Sequence, residues 1–273
     1  MAISMAVFFD THAHLDFPDF ANDLDKVVQH ATESGITKII TIGTDIESSR
    51  RAVAIAERFA GVYAAVGWHP THVMEAPDDV RPELKVLAQH PKVVAIGETG
   101  LDYHRMPSAS GGTTENDTKY KAKQARVFQQ QMEVAAELGL NCIIHQRDSF
   151  ADIIAQMQSF TPRIRGVFHC FGGDVSALRQ VLAIGSMVSF TGIVTFKNAQ
   201  TVRDTVAAVP NDQFMLETDC PFLAPVPYRG KRCEPAYVKE IATTVAQVRA
   251  CSLEGLSDAT CSTALRFFPK LNG

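Results

Sequence analysis

The sequence predicts an α/β fold, a single distorted (β/α)8 TIM barrel, and three observations predict it. Eight short runs, most of them with β-branched residues, are apolar on both faces, as buried parallel strands are. Amphipathic helical stretches lie between them, and this alternation fits a closed barrel better than an open sheet. The length, 273 residues, suits a fold that commonly takes about 250 residues. A doubly wound sheet also satisfies the alternation, so pattern alone leaves that second arrangement open.

The runs fall at residues 7–9, 38–42, 62–66, 93–96, 142–144, 166–168, 186–190 and 214–216. Between the fourth and fifth, Phe128, Met132, Ala135 and Leu138 recur at helical spacing, and Gly139 follows as a C-terminal cap. Residues 20–34 end the same way at Gly35, and Asp174 is placed to cap a helix running to Leu182. The small, polar segment 108–118 reads as a mobile loop after the fourth strand. No repeat or linker interrupts the pattern, so residues 1–273 are expected to form one domain.

Composition narrows the function. Hydrophobic residues make up 46% and charged residues 21%, enough apolar surface to offset the entropy of ordering the chain, which excludes disorder. With 26 basic and 30 acidic side chains the net charge is −4, which excludes a duplex-DNA coat protein relying on wide counterion displacement. A local grip on a few nucleotides stays open. The six cysteines form no C-x-x-C pair and read as reduced thiols of a cytoplasmic protein. The apolar start, residues 1–9, lacks a basic flank and meets Asp10, so it reads as neither signal peptide nor membrane span. Either Met1 or Met5 could serve as the start. No obligate protein partner is evident.

In a parallel barrel the residues just beyond the strands build the site. Those residues are Asp10-Thr-His12-Ala-His14, Gly67-Trp-His69-Pro-Thr-His72, Gly97-Glu98-Thr-Gly-Leu-Asp102, His145-Gln-Arg147, His169-Cys-Phe and Glu217-Thr-Asp219-Cys-Pro221. Six of the nine histidines thus follow strands directly. One histidine at a strand end is ordinarily structural; several strands ending in His, Glu or Asp point to a metal. In an extended segment residues i and i+2 face the same way, so His12 and His14 can aim both imidazoles at one ion. Imidazole and carboxylate together suit Mg, Mn, Zn or Fe and leave room for water. The candidate metal ligands are His12, His14, Glu98, His145, His169 and Asp219, more than one open site needs. They imply two divalent ions sharing a carboxylate, roughly 3.5–4 Å apart, and a hydrolytic reaction.

These residues carry a resemblance. The motifs are Phe9-Asp-Thr-His12-Ala-His14-Leu-Asp16, Val66-Gly-Trp-His69-Pro, Ile96-Gly-Glu98-Thr-Gly-Leu-Asp-Tyr103, Ile144-His145-Gln-Arg147-Asp, Phe168-His169-Cys-Phe-Gly-Gly173 and Leu216-Glu217-Thr-Asp219-Cys-Pro-Phe-Leu-Ala-Pro225, followed by Arg229-Gly-Lys-Arg232 and Glu234-Pro235. Together they resemble the TatD family of metal-dependent deoxyribonucleases over essentially the whole chain. The resemblance implies that His12, His14 and Asp219 hold one metal. Glu98 would bridge to a second, completed by His145 and His169. It makes Asp219 and Glu98 the catalytic residues, with Asp219 orienting or deprotonating the attacking water. It implies DNA as substrate, single-stranded or at a 3′ end. Two departures stand out: Cys233 and Thr263 occupy positions where the family typically has asparagine.

Further residues have readings of their own. His69, Arg147 and Arg229 are expected substrate contacts, with Lys231 and Arg232 beside Arg229 forming either a phosphate-receiving or a merely solvated basic turn. Glu217 should share the interior face of Asp219 and orient a ligand or water. Trp68 reads as packing rather than base stacking, and Lys119, Lys121, Lys123 and Arg126 as a solvated helix face. Other functions also fit a binuclear site: hydrolysis of small phosphoesters, lactones or amides, or metal-dependent binding without catalysis. Two bound divalent ions would add about +4 opposite the carboxylates, so the positive charge a nucleic acid needs can be bound rather than encoded.

Overall fold

The computed structural model describes residues 6–272. The stretch read as the start of the chain, Met1 to Met5, lies outside the described residues. Eight strands form one sheet in chain order: β1 (Phe8–Ala13), β2 (Ile36–Ile42), β3 (Val62–Val66), β4 (Val93–Asp102), β5 (Asn141–Arg147), β6 (Gly166–Phe168), β7 (Met187–Phe190) and β8 (Phe214–Leu216). Every neighbouring pair is parallel. A parallel bridge between Ala13 and Cys220 brings the end of β1 against the segment after β8. The barrel is therefore nearly closed, and the open doubly wound sheet is excluded.

Helices α1 (Leu24–Glu33), α2 (Ile46–Arg58), α3 (Arg81–Ala88), α4 (Thr114–Leu138), α5 (Phe150–Gln158), α6 (Val175–Ala183), α7 (Gln200–Ala208) and α8 (Val238–Arg249) follow the strands in turn, and α9 (Leu253–Phe267) comes last. Their ends obey local chemistry. Asp45 and Asp174 accept the backbone N–H of Ser48 and Ala177 at the starts of α2 and α6. Gly139 adopts φ 65° to terminate α4, as the sequence implies.

The segment 108–118 is not wholly a loop. Thr113 and Asn116 form a reciprocal capping box, and α4 begins at Thr114. Polar residues that look like a loop are here the first turn of a 25-residue helix.

The barrel interior divides along its axis. Its lower part holds Ile40, Ile42, Tyr63, Ala65, Val94, Ile143, Val167, Met187 and Met215, with Phe267, Phe268 and Leu271 from the C-terminal end of the chain closing the bottom. Above that layer the same inward rows carry His145, two residues beyond Ile143, His169, two beyond Val167, and Glu217, two beyond Met215. The strands thus deliver polar side chains to the top of an otherwise apolar barrel.

Candidate metal centre

Asp10 ties the tops of β1 and β8 together. Its Oδ1 accepts the N–H of Thr218 at 2.9 Å and of His12 at 3.2 Å, and its Oδ2 accepts the Thr218 hydroxyl at 2.5 Å. Burial pushes the Asp10 carboxyl up to about 8, against those hydrogen bonds. Asp219 donates its N–H to the His12 carbonyl at 2.8 Å, and His14 donates its own to the Cys220 carbonyl at 2.8 Å. The two ends that carry His12, His14 and Asp219 are therefore locked in register. On the opposite side Gly100 lets β4 and β5 approach closely. Its φ is +140°, and a Cβ there would lie 2.0 Å from the His145 carbonyl oxygen.

The structure brings together all six residues expected to bind metal. Glu98 lies at their centre with its two oxygens facing different partners. Its Oε1 is 2.7 Å from His145 Nδ1 and 2.8 Å from His169 Nε2. Its Oε2 is 3.4 Å from His12 Nε2 and 3.8 Å from His14 Nε2. Asp219 Oδ1 completes the second side, 3.4 Å from His14 Nε2 and 3.7 Å from His12 Nε2. Glu98 and His12 are sealed from solvent at 3% and 0% side-chain exposure, whereas His145 and Asp219 keep 16% and 15%. The cluster opens on the side of those two residues.

His12 Nε2 and His14 Nε2 face each other at 3.3 Å, so at least one presents a lone pair to the other. The buried Nδ1 atoms of His12 and His14 have no hydrogen-bond partner among the described residues. Burial alone would raise the Glu98 carboxyl, but the charges and hydrogen bonds of His169, His69 and His12 outweigh it and hold Glu98 well below the usual range. Asp219 is held low in the same way, against its burial, by His14, His12 and His169. In return Glu98 and Glu217 lift His169 well above an ordinary imidazole despite burial, and Asp102 and Glu98 lift His145. Converging carboxylates with imidazole lone pairs form a donor set that fits divalent cations of the Mg, Mn or Zn kind.

Three neighbours complete the centre. Asp102 Oδ2 lies 3.0 Å from His145 Nε2, so the carboxylate fixes the ring with Nδ1 turned toward Glu98. The strand alternation that puts Glu98 and Asp102 on one face was available in the sequence, but glycines at 97 and 100 disguise the upper half of β4. Glu217 Oε1 accepts the Cys170 N–H at 2.6 Å and faces His169 Nδ1 at 3.7 Å, matching its expected interior position. His69 comes closer to the cluster than a substrate contact needs to. Its Nε2 is 3.1 Å from His145 Nδ1 and 3.4 Å from Glu98 Oε1, while its Nδ1 is 2.6 Å from the Thr71 hydroxyl. His69, Glu98 and His145 therefore form a donor group of their own beside His12, His14 and Asp219. Burial brings His69 down to about 4, favouring the neutral ring.

The expected basic contacts are distributed differently. Arg147 lies on the His145 face of β5, exposed at the mouth, and its side chain makes no hydrogen bond or ion pair among the described residues. Arg229 lies over the Phe196 ring, 3.6 Å from its centre, also exposed. Arg232 is committed to Asp23 at 2.7 and 2.8 Å. Trp68 is buried, its backbone held by the Gln131 amide, so packing is its role here. On the helix face read as solvated, Arg126 stays exposed in an ion pair with Asp78, whereas Lys123 is half-buried and donates to the Ala76 carbonyl.

The family model described as TatD related DNase matches residues 9–269. The chain belongs to this family. It is 37% identical over 263 residues to the uncharacterized metal-dependent hydrolase YabD of Bacillus subtilis, covering 96% of this chain and 99% of YabD. It is 33% identical over 268 residues to a Cronobacter turicensis protein named 3′-5′ ssDNA/RNA exonuclease TatD, covering 96% and 98% of the two. The crystal structure of YjjV, a TatD homolog from Escherichia coli K12, superposes with a TM-score of 0.86 at 28% identity over 96% of this chain and 98% of that one. The TatD-related chain described here is accordingly a metal-dependent hydrolase acting on ester bonds. No helix among its described residues is long and apolar enough to cross a membrane.

Proposed function

We propose that this TatD-related hydrolase cleaves phosphodiester bonds in DNA, as an exonuclease on single strands or 3′ ends, with two divalent cations. The observation that carries this reading is the division of Glu98, with one oxygen toward His12 and His14 and the other toward His145 and His169. That is the arrangement a bridging carboxylate requires. His12, His14 and Asp219 would hold one cation, His145 and His169 the other, with Glu98 shared and His69 adjoining the second set. The bound ions would supply Lewis-acid polarisation of the phosphate and a lowered pKa for the attacking water.

The chain's own groups set the rest of the chemistry. Asp219, ionised and partly exposed at the open edge, is placed to orient the water and take its proton as it attacks phosphorus. Asp102 and Glu217 hold His145 and the His169 segment in position. Arg147 at the mouth, and Arg229 in the basic turn after β8, are the cations available to the phosphates of the strand. Six free thiols support a reducing location, the cytoplasm.

Digestion of end-labelled DNA across Mg, Mn and Zn, with D219N as control, tests this reading. It expects metal-dependent loss of terminal nucleotides and a variant that is nearly inactive. Undiminished cleavage by D219N would remove Asp219 from its role. Inert nucleic acid alongside turnover of a small phosphoester, lactone or amide would reject the nuclease.

A further inference from the structure

We propose that Phe222, backed by Phe17, is the platform on which the terminal base of a single-stranded nucleic acid stacks while its phosphate lies at the metal centre. The proposal deepens the phosphodiesterase reading and rests on it. Among the described residues the exposed large hydrophobics are Val7, Met74, Val86, Phe222 and Val226, and of these Phe222 alone is aromatic, with 51% of its surface open. Isolated exposed apolar residues are ordinary on a protein surface. Phe222 differs in its place and in how firmly it is held.

It follows Asp219 by three residues, and its N–H donates to the Asp219 carbonyl at 3.0 Å. The preceding carbonyl, that of Pro221, accepts the Cys233 N–H at 2.9 Å. The backbone that carries the ring is thus fixed to a residue of the centre itself. The Phe222 ring stands edge-on to Phe17, 6.0 Å between centres at 80°, and to His14, 6.4 Å at 67°. Phe17 in turn stacks on His14 at 4.7 Å and 27°. Three rings therefore run from the donor cluster to solvent, with the outermost left half bare.

A bare aromatic ring beside a phosphate-cleaving centre matches the chemistry of a nucleobase. Every base has a π-face, so stacking binds without reading sequence. A base inside a duplex is stacked and paired already and must be extruded to reach such a ring, which selects for unpaired ends. The aromatic wall thus accounts for single-strand preference without a wide basic groove, in keeping with the net charge of −4.

The test measures binding of fluorescein-labelled single-stranded oligonucleotides by anisotropy, in calcium, to the full chain and to F222A and F222W. One oligonucleotide ends in a normal 3′ nucleotide, and the other is abasic at that position. The same preparations are assayed for cleavage in Mn. The proposal expects F222A to weaken binding of the normal strand about tenfold, the size of one lost base–aromatic stack. On the abasic strand F222A should change affinity less than about twofold, since the partner is already missing. F222W should restore binding of the normal strand. An equal loss on both strands, or no loss on the normal one, would overturn the stacking role while leaving the nuclease reading intact. Normal binding effects with no cleavage in Mn would support the stacking and reject the nuclease. Failure of the wild-type chain to bind either strand, together with no cleavage in Mn, would overturn both.

Discussion

The lower and upper halves of the barrel interior are built on the same inward rows, yet they are chemical opposites. Below, Ile143, Val167 and Met215 pack with Phe267 and Phe268 in a sealed apolar plug. One step up each row stand His145, His169 and Glu217, largely buried and each ion-paired or hydrogen-bonded. The plug stabilises the fold through apolar burial and dense packing. The upper cluster does the reverse. It concentrates carboxylates and imidazoles out of water, where each charge depends on a partner. One scaffold thus separates stability from chemistry by a distance of two residues per strand.

Substitutions on the two sides should break different properties. Removing Glu98 strikes both halves of the donor cluster at once. E98A is expected to lower hydrolysis by roughly 10³-fold or more, read as kcat/KM on the preferred substrate, while circular dichroism still reports a folded barrel. In the plug, Phe268 is fully buried with its ring 4.8 Å from that of Phe267. F268A should cost about 3–5 kcal/mol of stability, measured by denaturant unfolding, with metal affinity of the remaining folded protein preserved. Should F268A abolish metal binding in molecules that remain folded, the separation would be false.

A smaller effect sharpens the comparison. If the upper half is a cation site, a cation should stabilise the native state and leave the plug untouched. At about a hundredfold excess over Kd the gain is about 2.7 kcal/mol. That corresponds to a rise in Tm of roughly 5–10 °C, at about 2–4 °C per kcal/mol, reversed by a chelator. Smaller again is the effect of Asp102, which acts through His145. D102N should weaken metal binding about 10–100-fold and leave Tm of the metal-free chain within a few degrees. Unchanged affinity would reduce Asp102 to a structural hydrogen bond.

Much of this was legible in the sequence because the barrel makes local signals sufficient. Apolar runs, most of them with β-branched residues, marked all eight strands, and the residues just past the runs marked the cluster, since the site is built where the strands end. What escaped depended on contacts between distant segments. Asp102 belongs to the extension of β4 alongside β5, and Gly97 and Gly100, which permit that close approach, interrupt the apolar run that signals a strand. His69 could be given a functional role from its motif, but its place against His145 and Glu98 follows from how β3, β4 and β5 come together. The capping box at Thr113 hid in a stretch whose composition resembles a loop. Arg232 looked available for phosphates because Asp23, its partner, lies more than two hundred positions away in the chain.

The central claim is that Glu98 joins two cation sites into one centre. Calorimetric titration of the metal-free chain with Mn, on wild type and E98A, tests it most directly. The account predicts two equivalents bound by the wild type and loss of both at comparable concentrations in E98A. A single equivalent in the wild type, or one site retained at full affinity in E98A, would contradict it.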